Sequence, residues 1–200
     1  MAEPSRATHP GLAMTTDTMT LLEARTRYFE INGFGDDGGY ADKWVTIKLF
    51  DKLPVRLPNT PGRVRAVRYH DLHHVVTGYR TDMHGEAEIS AWELASNCKH
   101  EYAAWVLNAG GLAYGLLTAP GDMFRAWVRG RHSQNLYGRP FDAALLEQRV
   151  ETTRKQLALD RPAKPTARDA LTFGLAAFAA TLPGLVALGL VGRLIIWLLA

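Results

Sequence analysis

His70, Asp71 and His74, with a further carboxylate at Glu86, bring two imidazoles and two carboxylates into one short stretch of chain. Four of the seven histidines fall between His70 and His84. On a helix turning ~100° per residue, His74 lies about 40° and Asp71 about 100° round from His70. All three share a side with Val64, Val67 and Val75, so the polar group is aimed at apolar packing rather than at water. A His pair at this spacing can reach one cation, as in the metalloprotease helix, although the central Glu of that motif is absent. Glu86 follows a short connection at residues 77–80, which would fold a second helix back beside the first and bring its carboxylate to the pair. Two imidazoles with one or two carboxylates suit a divalent metal: zinc first, with an open coordination position, and non-haem Fe(II) as the alternative. The same residues also fit an internal hydrogen-bond network between two helices, with Asp71 orienting an imidazole, or a set of solvated surface histidines. His73 and His84 read as bystanders.

The elements that must position these groups follow helical spacing, while alternating stretches are scarce, so the expected fold is an all-α, compact multi-helix domain. Helices are expected at 17–31, 40–52, 63–76, 82–96 and 100–117, with two more opening at Pro120 and Phe141. Asn32 and Gly33 should stop the first, a connector with Pro54, Pro58 and Pro61 should precede the third, and Thr81 or Asp82 should cap the fourth. The loop from Gly33 to Gly38 matches the G-x-G-x-x-G pattern formally. It lacks the preceding strand, and Asp36 and Asp37 would repel phosphate, so it reads as a turn between helices. Asn108-Ala109-Gly110-Gly111 should allow close helix approach or a kink. Trp105, Val106, Leu107, Leu112, Leu116 and Leu117 fit either an apolar groove or ordinary core. Met123, Phe124, Trp127 and Val128, edged by Arg125, Arg129 and Arg131, fit a helix lying at a membrane interface or a buried face with a basic rim.

Residues 1–16 form a polar lead-in expected to be disordered, 17–160 the helical domain, 161–169 a short linker and 170–200 a membrane anchor. The tail is uncharged from Ala170 to Gly192, long enough as a helix to cross the ~30 Å hydrocarbon layer despite Pro183-Gly184. Arg154, Lys155, Arg161, Lys164 and Arg168 precede it and Arg193 alone follows, which places the folded domain on the cytoplasmic side. Ala176, Ala180 and Gly184 form a small-residue stripe suited to packing on another helix. The 23 basic residues are nearly matched by 20 acidic ones, for a net charge of +3, and no basic run appears, which argues against a nucleic-acid partner. Cys98 is the only cysteine, so no disulfide forms within the chain and no thiolate cage is offered to a metal. Neither a Gly-x-Ser-x-Gly elbow nor a Cys–His nucleophile arrangement is present, which argues against the common hydrolases.

His-Asp-x-x-His, eleven residues, then Glu resembles the motif of the Coq-four family of ubiquinone (coenzyme Q) biosynthesis proteins, carried here by His70, Asp71, His74 and Glu86. Val67-Arg68-Tyr69, Val75-Val76-Thr77-Gly78, Met83, Gly85 and Trp92-Glu93 are similar as well, and the resemblance runs from about Val64 to Gln156. It implies an α-helical protein with an apolar groove for a polyprenyl chain, associated with membrane lipid and with other ubiquinone-biosynthesis proteins, in a bacterium at the inner membrane. It implies a metal held by His70, His74 and Glu86, with Asp71 as a fourth ligand or an orienter, and Asp71 and Glu86 as the carboxylates that take part in catalysis. The implied activity is a metal-dependent step on the head group of a polyprenylated aromatic acid, removal of the C1 carboxylate. The alternative is a non-catalytic lipid-binding scaffold that organises the other enzymes.

Overall fold

The computed structural model describes residues 16–49 and 53–199. Almost all of the lead-in therefore lies outside the described residues. The expected all-α architecture is what the chain adopts, with one small hairpin as the exception.

Helix α1 (Leu21–Asn32) starts on a reciprocal cap: Thr20 accepts from the Glu23 amide, and the Glu23 carboxylate accepts from the Thr20 amide. Gly33 ends it in the left-handed conformation at φ 67°. Helix α2 (Pro61–Thr77) has Thr60 as its N-cap and Pro61 in its first turn, where a missing N–H does no harm, and closes on a left-handed Gly78. Helix α3 (Met83–Ser96) is capped by Asp82, which accepts from the Gly85 amide. Helices α4 (Tyr102–Thr118) and α5 (Pro120–Arg131) follow, and both pack on α3, the centre of the core. Trp92, Ile89 and Ala91 of α3 are completely buried. Close packing depends on glycine: a methyl group on Gly130 would stand 2.4 Å from the Trp92 carbonyl oxygen, and one on Gly111 would stand 2.1 Å from Ser90 Oγ. Close approach, rather than a kink, is what Gly111 provides.

Two expected helices are not formed as read. In place of a helix at 40–52, strands β1 (Trp44–Leu49) and β2 (Leu53–Pro58) pair antiparallel, with Val45 opposite Leu57 and Ile47 opposite Val55. The β-branched residues Val45, Thr46, Ile47 and Val55 favour the extended chain. Pro54 and Pro58 share one parity on β2, so their missing donors fall on the same edge of the ribbon and the two-stranded ladder survives. Residues 50–52, the end of the expected helix, lie outside the described residues. The helix expected from Phe141 is split into α6 (Ala143–Leu146) and α7 (Val150–Gln156). Between them the backbone pairs with the chain entering α1: the Leu21 amide donates to the Gln148 carbonyl, and the Val150 amide to the Met19 carbonyl. A tertiary ladder has taken the hydrogen bonds that would continue the helix.

Helix α8 (Ala167–Leu199) runs unbroken through Pro183, and its Ala167–Val186 portion is long and apolar enough to cross a membrane. A continuous helix, not a hairpin of two arms, occupies the tail. Its first turns pack on α4 and α5. The Trp127 indole donates to Thr172 Oγ1 at 3.2 Å, Phe173 meets Phe124 and Trp127, and Asp169 accepts from His132 at 3.0 Å. Trp127 is thus buried against the chain's own tail, Met123 packs against Gly115 beside Ala87, and Val128 is buried as well, which is the buried-face reading of α5 rather than the interfacial one. Ala176 and Ala180 of the small-residue stripe also pack against the core, while Gly184 meets nothing.

Candidate metal centre

Helical geometry on α2 puts His70 and His74 one turn apart, and the Gly78–Thr81 turn reverses the chain so that Glu86, in the first turn of α3, reaches both. Arg129 of α5 braces that turn: its guanidinium donates to the Thr77 carbonyl at 3.0 Å and lies over the Tyr79 ring. One atom from each of His70, His74 and Glu86 comes within 4.8 Å of the other two. The spacing-based reading of these three residues therefore holds as geometry.

With both imidazoles neutral, the three converging groups all present acceptor atoms. His74 Nδ1–H donates to the Tyr79 carbonyl at 3.0 Å, and a carbonyl can only accept, so in the neutral ring His74 Nε2 offers a lone pair. His70 Nδ1–H donates to Glu93 Oε1 at 2.9 Å, which turns His70 Nε2 inward in the same way. The two Nε2 atoms stand 3.1 Å apart, and Glu86 lies 3.2 Å from each, through Oε2 to His70 and Oε1 to His74. Two lone pairs and a carboxylate at such separations repel unless a cation lies among them. Ligands at ~2.0–2.1 Å from a tetrahedral zinc ion stand about 3.3 Å apart, so the residues fit such an ion with little movement. With only protons available, burial opposes charge on His70, but Glu93 and Glu86 outweigh it and hold its pKa well above the ordinary value. Burial likewise acts to raise the Glu86 pKa, and the facing imidazoles overcome it and bring it down to about 2. The cluster selects one positive charge, whether carried by a proton or by a metal.

Glu93, two turns along α3 from Glu86, organises this group from behind, and sequence reasoning did not assign it to the site. Its side chain has no solvent exposure and accepts four hydrogen bonds. Oε1 takes His70 Nδ1–H and His73 Nδ1–H, the latter at 2.7 Å; Oε2 takes Asn108 Nδ2 at 2.5 Å and the Tyr137 hydroxyl at 2.7 Å. Burial alone would favour its acid form, yet His70 and His73 hold its pKa far below the carboxylate range. His73 is correspondingly no bystander. It is completely buried, and its Nε2 accepts the Leu136 amide at 2.9 Å, so it links α2 through Glu93 to α3 and to the loop after α5. Burial lowers its pKa, in keeping with a neutral strut. The available signal was a carboxylate seven residues from Glu86 on an otherwise apolar face, beside Trp92.

Asp71 is not drawn into the converging three. Its carboxylate accepts a 2.5 Å hydrogen bond from the Tyr40 hydroxyl, and burial raises its pKa although that bond works the other way. Tyr40 arrives from the glycine-rich loop after α1. Asp37 accepts from the Gly39 and Ala41 amides there, and Gly38, at φ 69°, lies so close to the Phe29 ring that a methyl group would collide with it. The G-x-G-x-x-G match is thus a turn, leading to a hairpin instead of a helix, and it delivers a phenol to Asp71. Tyr28 stacks on His74 at 5.6 Å. Tyr40 also lines an open depression of about 510 Å³ with Lys43, Asn59, Arg65 and Arg68. His84 stands apart, 3.2 Å from Asp122, as expected of a bystander. No family model, curated protein or solved structure matches the chain.

Proposed function

We propose that this chain is a membrane-anchored metalloprotein of ubiquinone biosynthesis that removes the C1 carboxylate from a polyprenylated aromatic acid. The observation that carries the metal reading is the convergence of His70 Nε2, His74 Nε2 and Glu86 at 3.1–3.2 Å, which with neutral imidazoles is a triangle of acceptors that calls for a cation. The pathway and the substrate rest on the resemblance of the His70–Glu86 motif to the Coq-four family. His70, His74 and Glu86 would hold a divalent ion, zinc or alternatively iron. Bound there, the ion supplies Lewis-acid polarisation of a carboxylate or phenolic oxygen. Glu93 and the Tyr79 carbonyl fix the imidazole tautomers, and Asp71 with Tyr40 is the acid group beside the site. In the reaction the ring–carboxylate bond breaks, carbon dioxide leaves with neither oxidant nor reductant consumed, and the electron pair left on the ring carbon takes a proton that Asp71 or Tyr40 can relay. Replacement of carboxylate by hydroxyl would instead need an oxidant and a redox metal, so the identity of the ion separates the two outcomes.

Helix α8 anchors the chain in a bacterial inner membrane, with the basic residues before it facing the cytoplasm. The test is metal analysis of untagged full-length protein purified in detergent, wild type beside His74→Ala and Glu86→Ala, with quinone analysis of cells that depend on the chain. About one ion per chain, lost in folded variants along with quinone and with build-up of the carboxylated precursor, is expected. A folded, metal-free wild type that still supports quinone formation would leave the lipid-binding scaffold as the function.

A further inference from the structure

The outward face of α4 is apolar and largely exposed. Tyr102, Val106 and Leu117 are 79%, 73% and 83% exposed, and Ala109, Gly110 and Ala113 complete the same sector of about 100°. No charged residue occurs between Glu101 and Asp122. A helix face turned to water ordinarily carries Lys, Glu or Gln, and a contiguous apolar patch on a folded domain marks a contact surface. Helix α8, which packs on α4, turns a second apolar stripe outward through Leu171, Leu175, Phe178, Leu182 and Leu185, while Phe173, Ala176 and Ala180 on its other side pack on the domain.

The overlap between the membrane-spanning stretch of α8 and its docked part decides what covers these two faces. The Ala167–Val186 portion is the one apolar enough to cross a membrane, yet its first half is docked on α4 and α5. The docking is specific: Asp169 is held by His132, Thr172 by the Trp127 indole, and Phe173 by Phe124 and Trp127. The uncharged stretch from Ala170 to Gly192 is ~35 Å of helix and includes that docked half, so a bilayer that takes up this stretch also reaches the helices packed on it. A span through Ala167–Val186 holds α4 and α5 at the depth of the acyl chains rather than clear of the bilayer on a stalk.

We infer that the outward face of α4 and the outward stripe of α8 form one lipid-contacting surface, so that the domain sits partly immersed in the bilayer with α4 against the acyl chains. This rests on the membrane reading of α8, and the experiment separates the two. Full-length chains carrying Val106→Cys, Leu117→Cys, Leu182→Cys or Glu151→Cys are labelled with an environment-sensitive fluorophore and reconstituted into phosphatidylcholine–phosphatidylglycerol vesicles. Cys98 is buried and is spared by the label. Lipids brominated on their acyl chains then act as the quencher. Labels at 106 and 117 are expected to lose fluorescence to the same extent as the label at 182, while the label at 151, on exposed α7, loses almost none. Quenching at 182 with 106 and 117 behaving like 151 overturns the immersed surface and leaves the anchor standing. No quenching at 182 overturns the anchor and the proposal together. Labels at 106 and 117 shielded from both brominated lipid and aqueous iodide, in a chain that cross-links to itself, would assign the face to a second copy and overturn the lipid assignment.

Discussion

Glu93→Gln keeps the shape of the buried side chain and removes its charge. One carboxylate oxygen serves the two imidazoles and the other serves Asn108 and Tyr137. An amide has one oxygen and an NH₂ that only donates, so in either orientation two buried donors meet a donor. Two hydrogen bonds to a charged acceptor at ~1.5–3 kcal/mol each put the loss at roughly 3–6 kcal/mol. Relaxation should bring it to the ~3–5 kcal/mol typical of a broken buried pair. That is a large share of the ~5–15 kcal/mol that holds an ordinary domain together, so the denaturant midpoint of the full chain in detergent is the first measurement. The second is metal affinity by chelator competition on the folded fraction. Loss of the group that orients His70 should weaken binding about 10–100-fold, or ~1.4–2.7 kcal/mol. Tyr137→Phe is the control: it removes one donor, costs about 1.5–3 kcal/mol of stability and leaves the His70 bond intact, so affinity should hardly change. Wild-type affinity in folded Glu93→Gln would refute the orienting role. Equal weakening in Tyr137→Phe would replace it with general loosening of the core.

Stability of the metal-free protein should depend on pH in an unusual way. The raised His70 pKa contributes stability that is complete below its ordinary value of 6.5 and is lost as pH rises through the folded value, while the depressed Glu86 pKa contributes above 4.5 and is lost as pH falls toward about 2. Chelator-treated protein should therefore melt highest between these limits and progressively lower in alkali, whereas metal-loaded protein, which needs no proton on His70, should not show the alkaline loss; a chelated protein that gains stability from pH 7 to 9 would contradict the assignment. Tyr40→Phe should cost about 1.5–3 kcal/mol in thermal melts and leave the metal content unchanged while slowing precursor turnover, and unchanged turnover would remove the Asp71–Tyr40 pair from the chemistry. Gly130→Ala should destabilise by ~1–3 kcal/mol, because backbone of α3 lies where the methyl would go, and a neutral effect in the denaturant midpoint would show that α3 and α5 can separate there.

Features determined by the amino-acid sequence alone are those whose physics is local. Thr20, Thr60, Asp82, Gly33 and Gly78 set helix ends through hydrogen bonds reaching three or four residues; Asp82, Gly33 and Gly78 lie at or beside the expected boundaries, while Thr20 starts α1 later and Thr60 starts α2 earlier than expected. His70 and His74 share a face because a helix has a fixed period, and Glu86 meets them because a short turn leaves the second helix few other places to lie. The apolar tail is equally plain, since a span is defined by composition and length. Tertiary structure decided the rest. Glu93, His73, Asn108 and Tyr137 come from three helices and a loop, and only packing makes one carboxylate the shared acceptor of four donors. Tyr40 reaches Asp71 because a hairpin replaced an expected helix, and α6 and α7 part because the entering chain claims the backbone between them. Those choices depend on which groups would otherwise be buried without a partner, a condition that exists only once the helices have come together.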